Sequence, residues 1–261
     1  MKLDLAGRTA VVTGASKGIG LAVTQALVHE GANVAAGALT GSAELTALAD
    51  EGVATALGDL TTDSGCRALV DLAVERFGSV DLLVNNVGGV RPRTDGFLNV
   101  TDADWHWALE LNLLSAVRAT RAALPHLLQA APSSIVTICS VNASLPDPGV
   151  MDYSAAKAAL RSFCKSLSKE IGPSGVRVNT VSPGPVETAL WLGPNGVADT
   201  VGRAQGLDPA AVREAAVAGT PTQRFTRPDE VARLVLLLAS DTVSNITGSD
   251  VLIDGGMVTT M

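Results

Sequence analysis

Apolar positions along the chain fall into two alternating rhythms. Short β-rich runs at residues 9–14, 33–39, 54–59, 80–86, 134–140, 177–183 and 249–254 are separated by segments with apolar residues at helical spacing, at 19–30, 63–77, 102–129, 152–171 and 229–239. Several runs, TAVVTG and VDLLVNN among them, are continuously apolar, which predicts strands buried on both faces. Alternating β and α elements around such strands predict an α/β fold, a doubly wound sheet of seven mainly parallel strands with helices on both faces.

Local signals mark the element ends. Thr101 followed by Asp104 reads as a capping box, and Pro228 ahead of Asp229 and Glu230 reads as a helix entrance with acid near its positive end. No repeat, low-complexity tract or linker divides the sequence, so 1–261 reads as one domain. The exception in texture is 187–221, rich in glycine and proline, with one weak helical pattern around Pro209–Ala218. A long irregular segment beside strand ends predicts a mobile lid over a substrate.

Composition narrows the function classes. Of 261 residues 47% are hydrophobic but only 3% aromatic, so the core is expected to use small aliphatic side chains. The formal charge of -7 argues against a nucleic-acid partner. The longest apolar stretch, Leu234 to Ala239, is far short of the ~18 residues of a membrane span, and the first residues resemble neither a secretory nor a transit peptide. A cytoplasmic protein with no membrane partner is the expectation. Cys66, Cys139 and Cys164 form no CxxC pair, and His29, His106 and His126 lack metal-ligand spacing, so no metal site is expected. Strand alternation turns Cys139 away from Ser140 and into packing.

TGASKGIG, Thr13 to Gly20, follows the first strand and opens a helix. In that context Gly14, Gly18 and Gly20 let the backbone turn tightly, approach a diphosphate and pack helix on sheet, while the helix N-terminus offers donors. The end of the second strand decides between NAD and NADP; here stand Gly37, Ala38, Leu39 and Thr40, with no carboxylate to repel a 2′-phosphate. Lys17 is either its cation or a solvated loop residue, and Thr40 and Ser42 either offer hydroxyls to it or cap the next helix. The balance leans to NADP(H) over NAD(H). Asp59, with Leu60 beside it, either meets an adenine or caps its loop. Asn85 and Asn86, in NNVG, tie neighbouring loops together, and Gly88 admits backbone near a ribose.

YSAAK sets Tyr153, the only tyrosine, four residues before Lys157 and on the same helix face. A phenol with a pKa near ~10 is a poor proton carrier at neutral pH, and a nearby ammonium would favour its phenolate. An ordinary surface pair has the same spacing. Ser140 closes the strand SIVTICS, and Asn112 sits in the helical stripe ELNLL, where a polar amide is costly unless bonded.

Taken together TGASKGIG, the DL pair at Asp59, NNVG, Asn112, Ser140, YSAAK, SPGP and ITGSDVLIDGG resemble the short-chain dehydrogenase/reductase family, in order and over nearly the whole chain. The resemblance implies a Rossmann-like sheet, a nicotinamide cofactor, and a catalytic tetrad of Asn112, Ser140, Tyr153 and Lys157. In it Tyr153 is the general acid or base, Ser140 bonds the substrate oxygen, Lys157 lowers the Tyr153 pKa and holds the ribose, and Asn112 anchors a proton-relaying water. The cofactor would be held by Gly14, Ser16, Lys17, Gly18, Ile19, Gly20, Ala38, Leu39, Thr40, Asp59, Leu60, Asn86, Val87, Gly88, Tyr153, Lys157, Pro183, Gly184, Val186 and Thr188. The family's paired serines are Cys139–Ser140 here, and NNAG has become NNVG.

Substrate contacts are expected from Asn142, Arg91, Met151 and Trp191, in loops at the strand ends. Asn142 either bonds the substrate or steadies its loop; Arg91 and Arg93 either meet an acidic substrate or are solvated or paired to Asp95. The expected reaction interconverts a ketone or aldehyde and an alcohol. Enoyl reduction or dehydration on the same site, and a nucleotide sensor or scaffold without turnover, are the competing readings. The resemblance also implies a homotetramer, formed through 102–129, 152–171 and the C-terminal strand.

Overall fold

A computed structural model describes residues 2–259. The elements run β1 (Thr9–Thr13), α1 (Gly18–His29), β2 (Asn33–Ala38), α2 (Ala43–Thr46), β3 (Val53–Leu57), α3 (Asp63–Phe77), β4 (Leu82–Asn85), α4 (Asp102–Leu109), α5 (Ser115–Gln129), β5 (Ser133–Ile138), α6 (Met151–Ile171), β6 (Val176–Pro183), α7 (Ala189–Leu192), α8 (Val197–Gln205), α9 (Pro209–Ala218), α10 (Pro228–Ala239) and β7 (Asp250–Ile253). The seven strands form one sheet in the order β3-β2-β1-β4-β5-β6-β7, every neighbour parallel. The chain reverses its direction of travel across the sheet between β1 and β4, which opens a crevice beyond their carboxyl ends.

Continuous apolar runs become strands covered twice. Ala10 and Val12 of β1 face a layer with Val23 and Leu27 of α1 and Val231 and Val235 of α10, while Val11 between them faces Leu69 of α3, Leu127 of α5 and Leu160 of α6. Gly37 on β2 makes room for α3, since a Cβ there would lie 2.4 Å from Leu69 Cδ2. The small-aliphatic composition therefore permits close helix-to-sheet approach.

Caps stand where the sequence places them: Thr101 accepts from Asp104 N while Asp104 accepts from Thr101 N, and Glu230 accepts from Arg227 N at the start of α10. Two predicted elements change. The helix expected at 102–129 is interrupted by a π-turn, Glu110–Leu114, around Asn112. The lid expected to be irregular apart from one weak helix contains α7, α8 and α9. Glycines at 193, 196, 202 and 206 hide α7 and α8 from a reading of propensity, yet they serve as boundaries and close-approach points: a Cβ on Gly202 would lie 2.8 Å from Leu207 O.

Candidate active site

A cleft of about 1650 Å³ lies over the carboxyl ends of the strands, bounded by the turn after β1, the loops after β2 to β6, the start of α6 and the lid helices. At one end the chain leaves β1 through Gly14, at φ +69°, and enters α1 through Gly18, at φ +56°. A Cβ on Gly14 would stand 2.9 Å from Asn86 Nδ2, and one on Gly18 would stand 3.2 Å from Thr188 Cγ2. Asn86 fixes the turn by donating from Nδ2 to Thr13 O and Gly14 O. The first turn of α1 has neither a side-chain cap nor an acid, which leaves its amides free for an anion. This cradle fits a dinucleotide diphosphate.

Of the expected cofactor residues, Gly20 alone lies outside the cleft wall. Its place is under the turn: a Cβ there would meet Gly14 O at 2.2 Å. Lys17, Ala38, Leu39 and Thr40 line the wall near the end of β2, whereas Ser42 caps α2 by accepting from Leu45 N. Asp59 lines the cleft and also accepts from Thr61 N and Oγ1, which hold its carboxyl below the usual range.

At the other end Ser140, Tyr153 and Lys157 share the wall. Tyr153 and Lys157 occupy the first turns of α6, with the Lys157 ammonium 5.7 Å from the Tyr153 ring centroid and donating to Ile138 O at 2.9 Å. Asn112 stands behind that wall, where its Oδ1 accepts from Gly89 N and its Nδ2 donates to Gly89 O and Ala108 O. The amide thus replaces helical partners at the π-turn and ties it to the strap 88–89. Gly88 allows the close fit, because a Cβ on it would come 3.0 Å from Asn112 Oδ1 and 3.3 Å from Lys157 Nζ.

Burial acts against the expected acidification of the phenol. Burial pushes the Tyr153 phenol up to about 12, the Ser140 hydroxyl opposing it only in part, and burial likewise lowers the Lys157 ammonium. Desolvation is the largest cause of both shifts. Cys139 is packed as expected, its thiol donating to Lys157 O and raised by burial.

Two expected substrate residues lie outside the cleft wall. Arg91 lies outside the cleft wall with its guanidinium 3.9 Å from the Trp107 ring centroid, a cation–π contact. Met151 is likewise outside the wall, where Val150, just ahead of α6, takes the position. Trp191 and Asn142 do line it. The Asn142 amide is engaged locally, accepting from Ser140 Oγ and donating to Leu145 O, which favours the loop-steadying alternative. Arg93 pairs not with Asp95 but with Asp152 and Asp104. Asp152, almost fully buried, in turn accepts from Tyr153 N, a positioning chain that sequence spacing does not show.

A family model described as Enoyl-(Acyl carrier protein) reductase matches residues 14–258. The chain is 32% identical to the 3-oxoacyl-[acyl-carrier-protein] reductase FabG of Thermotoga maritima over 98% of this chain and 100% of that one. The chain belongs to the short-chain dehydrogenase/reductase family. Within the family, it is 34% identical to the oxidoreductase UcpA of Salmonella typhimurium, over 97% of this chain and 95% of that one. L-sorbose reductase from Gluconobacter frateurii, solved with NADPH and L-sorbose, superposes with a TM-score of 0.90 at 29% identity and full coverage of both chains. A Pseudomonas aeruginosa short-chain oxidoreductase, described as containing an atypical catalytic center and solved with NADPH, gives 0.86 at 32% identity, over 98% of this chain and 99% of that one. This short-chain dehydrogenase/reductase is an NAD(P)-dependent oxidoreductase that interconverts carbonyls and alcohols. No helix among its described residues is long and apolar enough to cross a membrane.

Proposed function

We propose that Tyr153 is the proton carrier of this oxidoreductase, with Ser140, Lys157 and Asn112 in supporting roles, and that NADP(H) is its preferred cofactor. The observation that carries the reading is the meeting, in one cleft, of a phenol, a hydroxyl and an ammonium with a glycine turn shaped for a diphosphate. A nicotinamide bound there supplies hydride to a carbonyl carbon, or accepts it from an alcohol. Ser140 Oγ, held by the Asn142 backbone and side chain, orients the substrate oxygen. Tyr153 then delivers its proton to that oxygen as negative charge develops, which a phenol kept protonated by burial is suited to do. Lys157 places its positive charge beside the ring and the strap at Gly88, where a ribose would lie. Asn112 secures the same strap.

Three features support NADP(H): exposed Lys17 at the N-cap of α1, Thr40 in the cleft wall, and no carboxylate at 37–40. The Leu98 side chain, 95% exposed beside Phe97, supports association with further copies of the chain, which we read as a homotetramer acting in the cytoplasm. Replacing Tyr153 with Phe tests the central role. NADPH should still quench tryptophan emission, and bind more tightly than NADH, with a dissociation constant within about fivefold of wild type, while kcat for carbonyl reduction falls by about 10³-fold. Turnover by the variant within tenfold of wild type would remove Tyr153 from the role.

A further inference from the structure

Part of the cleft wall is built from one face of each of two lid helices. Val197, Val201 and Ala204 recur at helical spacing on α8, and Ala211, Val212 and Ala215 do so on α9. No side chain of α9 is buried, and Ala204, Leu207, Ala211 and Ala215 are exposed although they border the cleft. Beside them Trp191 meets Phe225 edge to face, with ring centroids 5.6 Å apart, giving the base of the lid a fixed apolar panel.

Several polar side chains in this half are already engaged. Both ends of the Asn142 amide are bonded within its own loop, Asn195 Oδ1 accepts from Arg203, and Arg93 is held between Asp104 and Asp152. Exposed Thr94 and Gln205 remain at the rim. Cations that line the cleft are committed too, since Lys17 belongs to the glycine turn and Lys157 is buried beside Tyr153, while Arg91 on Trp107 and Arg213, which donates to Leu192 O, lie outside the wall and the exposed carboxylate of Asp147 repels an anion.

Building on the reading of Tyr153 as the proton carrier, we infer that the enzyme takes a neutral carbonyl carrying an extended apolar chain or ring, and selects against polyhydroxylated and anionic substrates. Each methylene laid on the alanine and valine faces leaves water and gains about fourfold in binding. Each sugar hydroxyl carried under the lid loses water without a partner, which costs about tenfold or more. The selectivity therefore departs from that of the L-sorbose reductase, whose backbone this chain follows closely.

The test uses the purified enzyme with NADPH and three sets of substrates: methyl ketones from butanone to decanone, a ketohexose, and a keto acid matched in length to the middle of the series. Expected is a rise in kcat/KM of about fourfold per methylene over the first additions, with the ketohexose and the keto acid at least about 100-fold below the matched ketone. Ala215→Asp should flatten the series while NADPH affinity stays within about twofold, and Ala215→Leu, which keeps the wall apolar but occupies space, should shift the optimum to a shorter ketone. A ketohexose or keto acid that equals the matched ketone, a flat wild-type series, or an unaltered series in both variants would overturn this inference alone. Absence of turnover with every class would overturn it together with the site reading beneath it.

Discussion

Asp152 joins two tasks at the first turn of α6: one carboxylate oxygen accepts from Tyr153 N, and the other meets the Arg93 guanidinium. With the carboxylate 2% exposed and the guanidinium 11% exposed, removal of either partner strands a charge in poor solvent. Asp152→Ala should lower unfolding stability by about 3 kcal/mol in urea. It should also lower kcat more than it raises KM, because Tyr153 loses the acceptor that aligns its backbone; a purely structural role would leave the kinetic constants of the folded fraction intact. The raised phenol has a signed consequence for pH. Below its pKa of about 12 the Tyr153 proton is in place, so carbonyl reduction should not decline from neutral into mildly alkaline buffers through this group. Alcohol oxidation needs the phenolate and should accelerate as pH rises. Initial rates in both directions check this, and oxidation that slows with rising pH would contradict it.

Among the elements, the junction of β1 with α1 shows how a residue outside the cleft can govern it. In a helix interior an alanine outranks glycine by about 1 kcal/mol, so Gly20→Ala looks favourable by propensity. The packing says otherwise, since the new Cβ would lie 2.2 Å from Gly14 O and 2.5 Å from Asn86 Nδ2. The turn must open, and NADPH affinity should weaken by about tenfold or more in a fluorescence titration. An affinity unchanged from wild type would mean the turn tolerates the methyl. The strands and long helices were legible because continuous apolar runs and helical stripes leave few other folds. The glycine turn and YSAAK were legible because their residues are local. What escaped the sequence is long-range: Arg91 finds Trp107, Arg93 finds Asp152, and Asn112 sits in a π-turn whose amide partner is Gly89, contacts that no spacing rule encodes. The direction of the Tyr153 shift escaped for the same reason, because desolvation depends on what the whole fold stacks around a ring.

For the whole molecule, every strand points its carboxyl end to the same side, so the glycine turn, Ser140, Tyr153, Lys157 and helices α7 to α9 collect there around one cleft. Phe97 and Leu98 stand out on the loop before α4, being 60% and 95% exposed, an arrangement that a monomer would pay for in solubility. If these two residues seat against a second copy, light scattering of the wild type at micromolar concentration should return at least two chain masses, and four if a second face also pairs. Leu98→Asp should shift the distribution to smaller species with NADPH affinity preserved, and a wild-type monomer would refute the assembly.

Because the sequence holds a single tyrosine, and the fold seats it in the wall of the cleft, ultraviolet absorbance can follow one ionisation without interference from any other phenol. A difference spectrum recorded along an alkaline ramp reports the occupancy of that one hydroxyl, and repeating the ramp with each nucleotide reveals how far ligand electrostatics retune it.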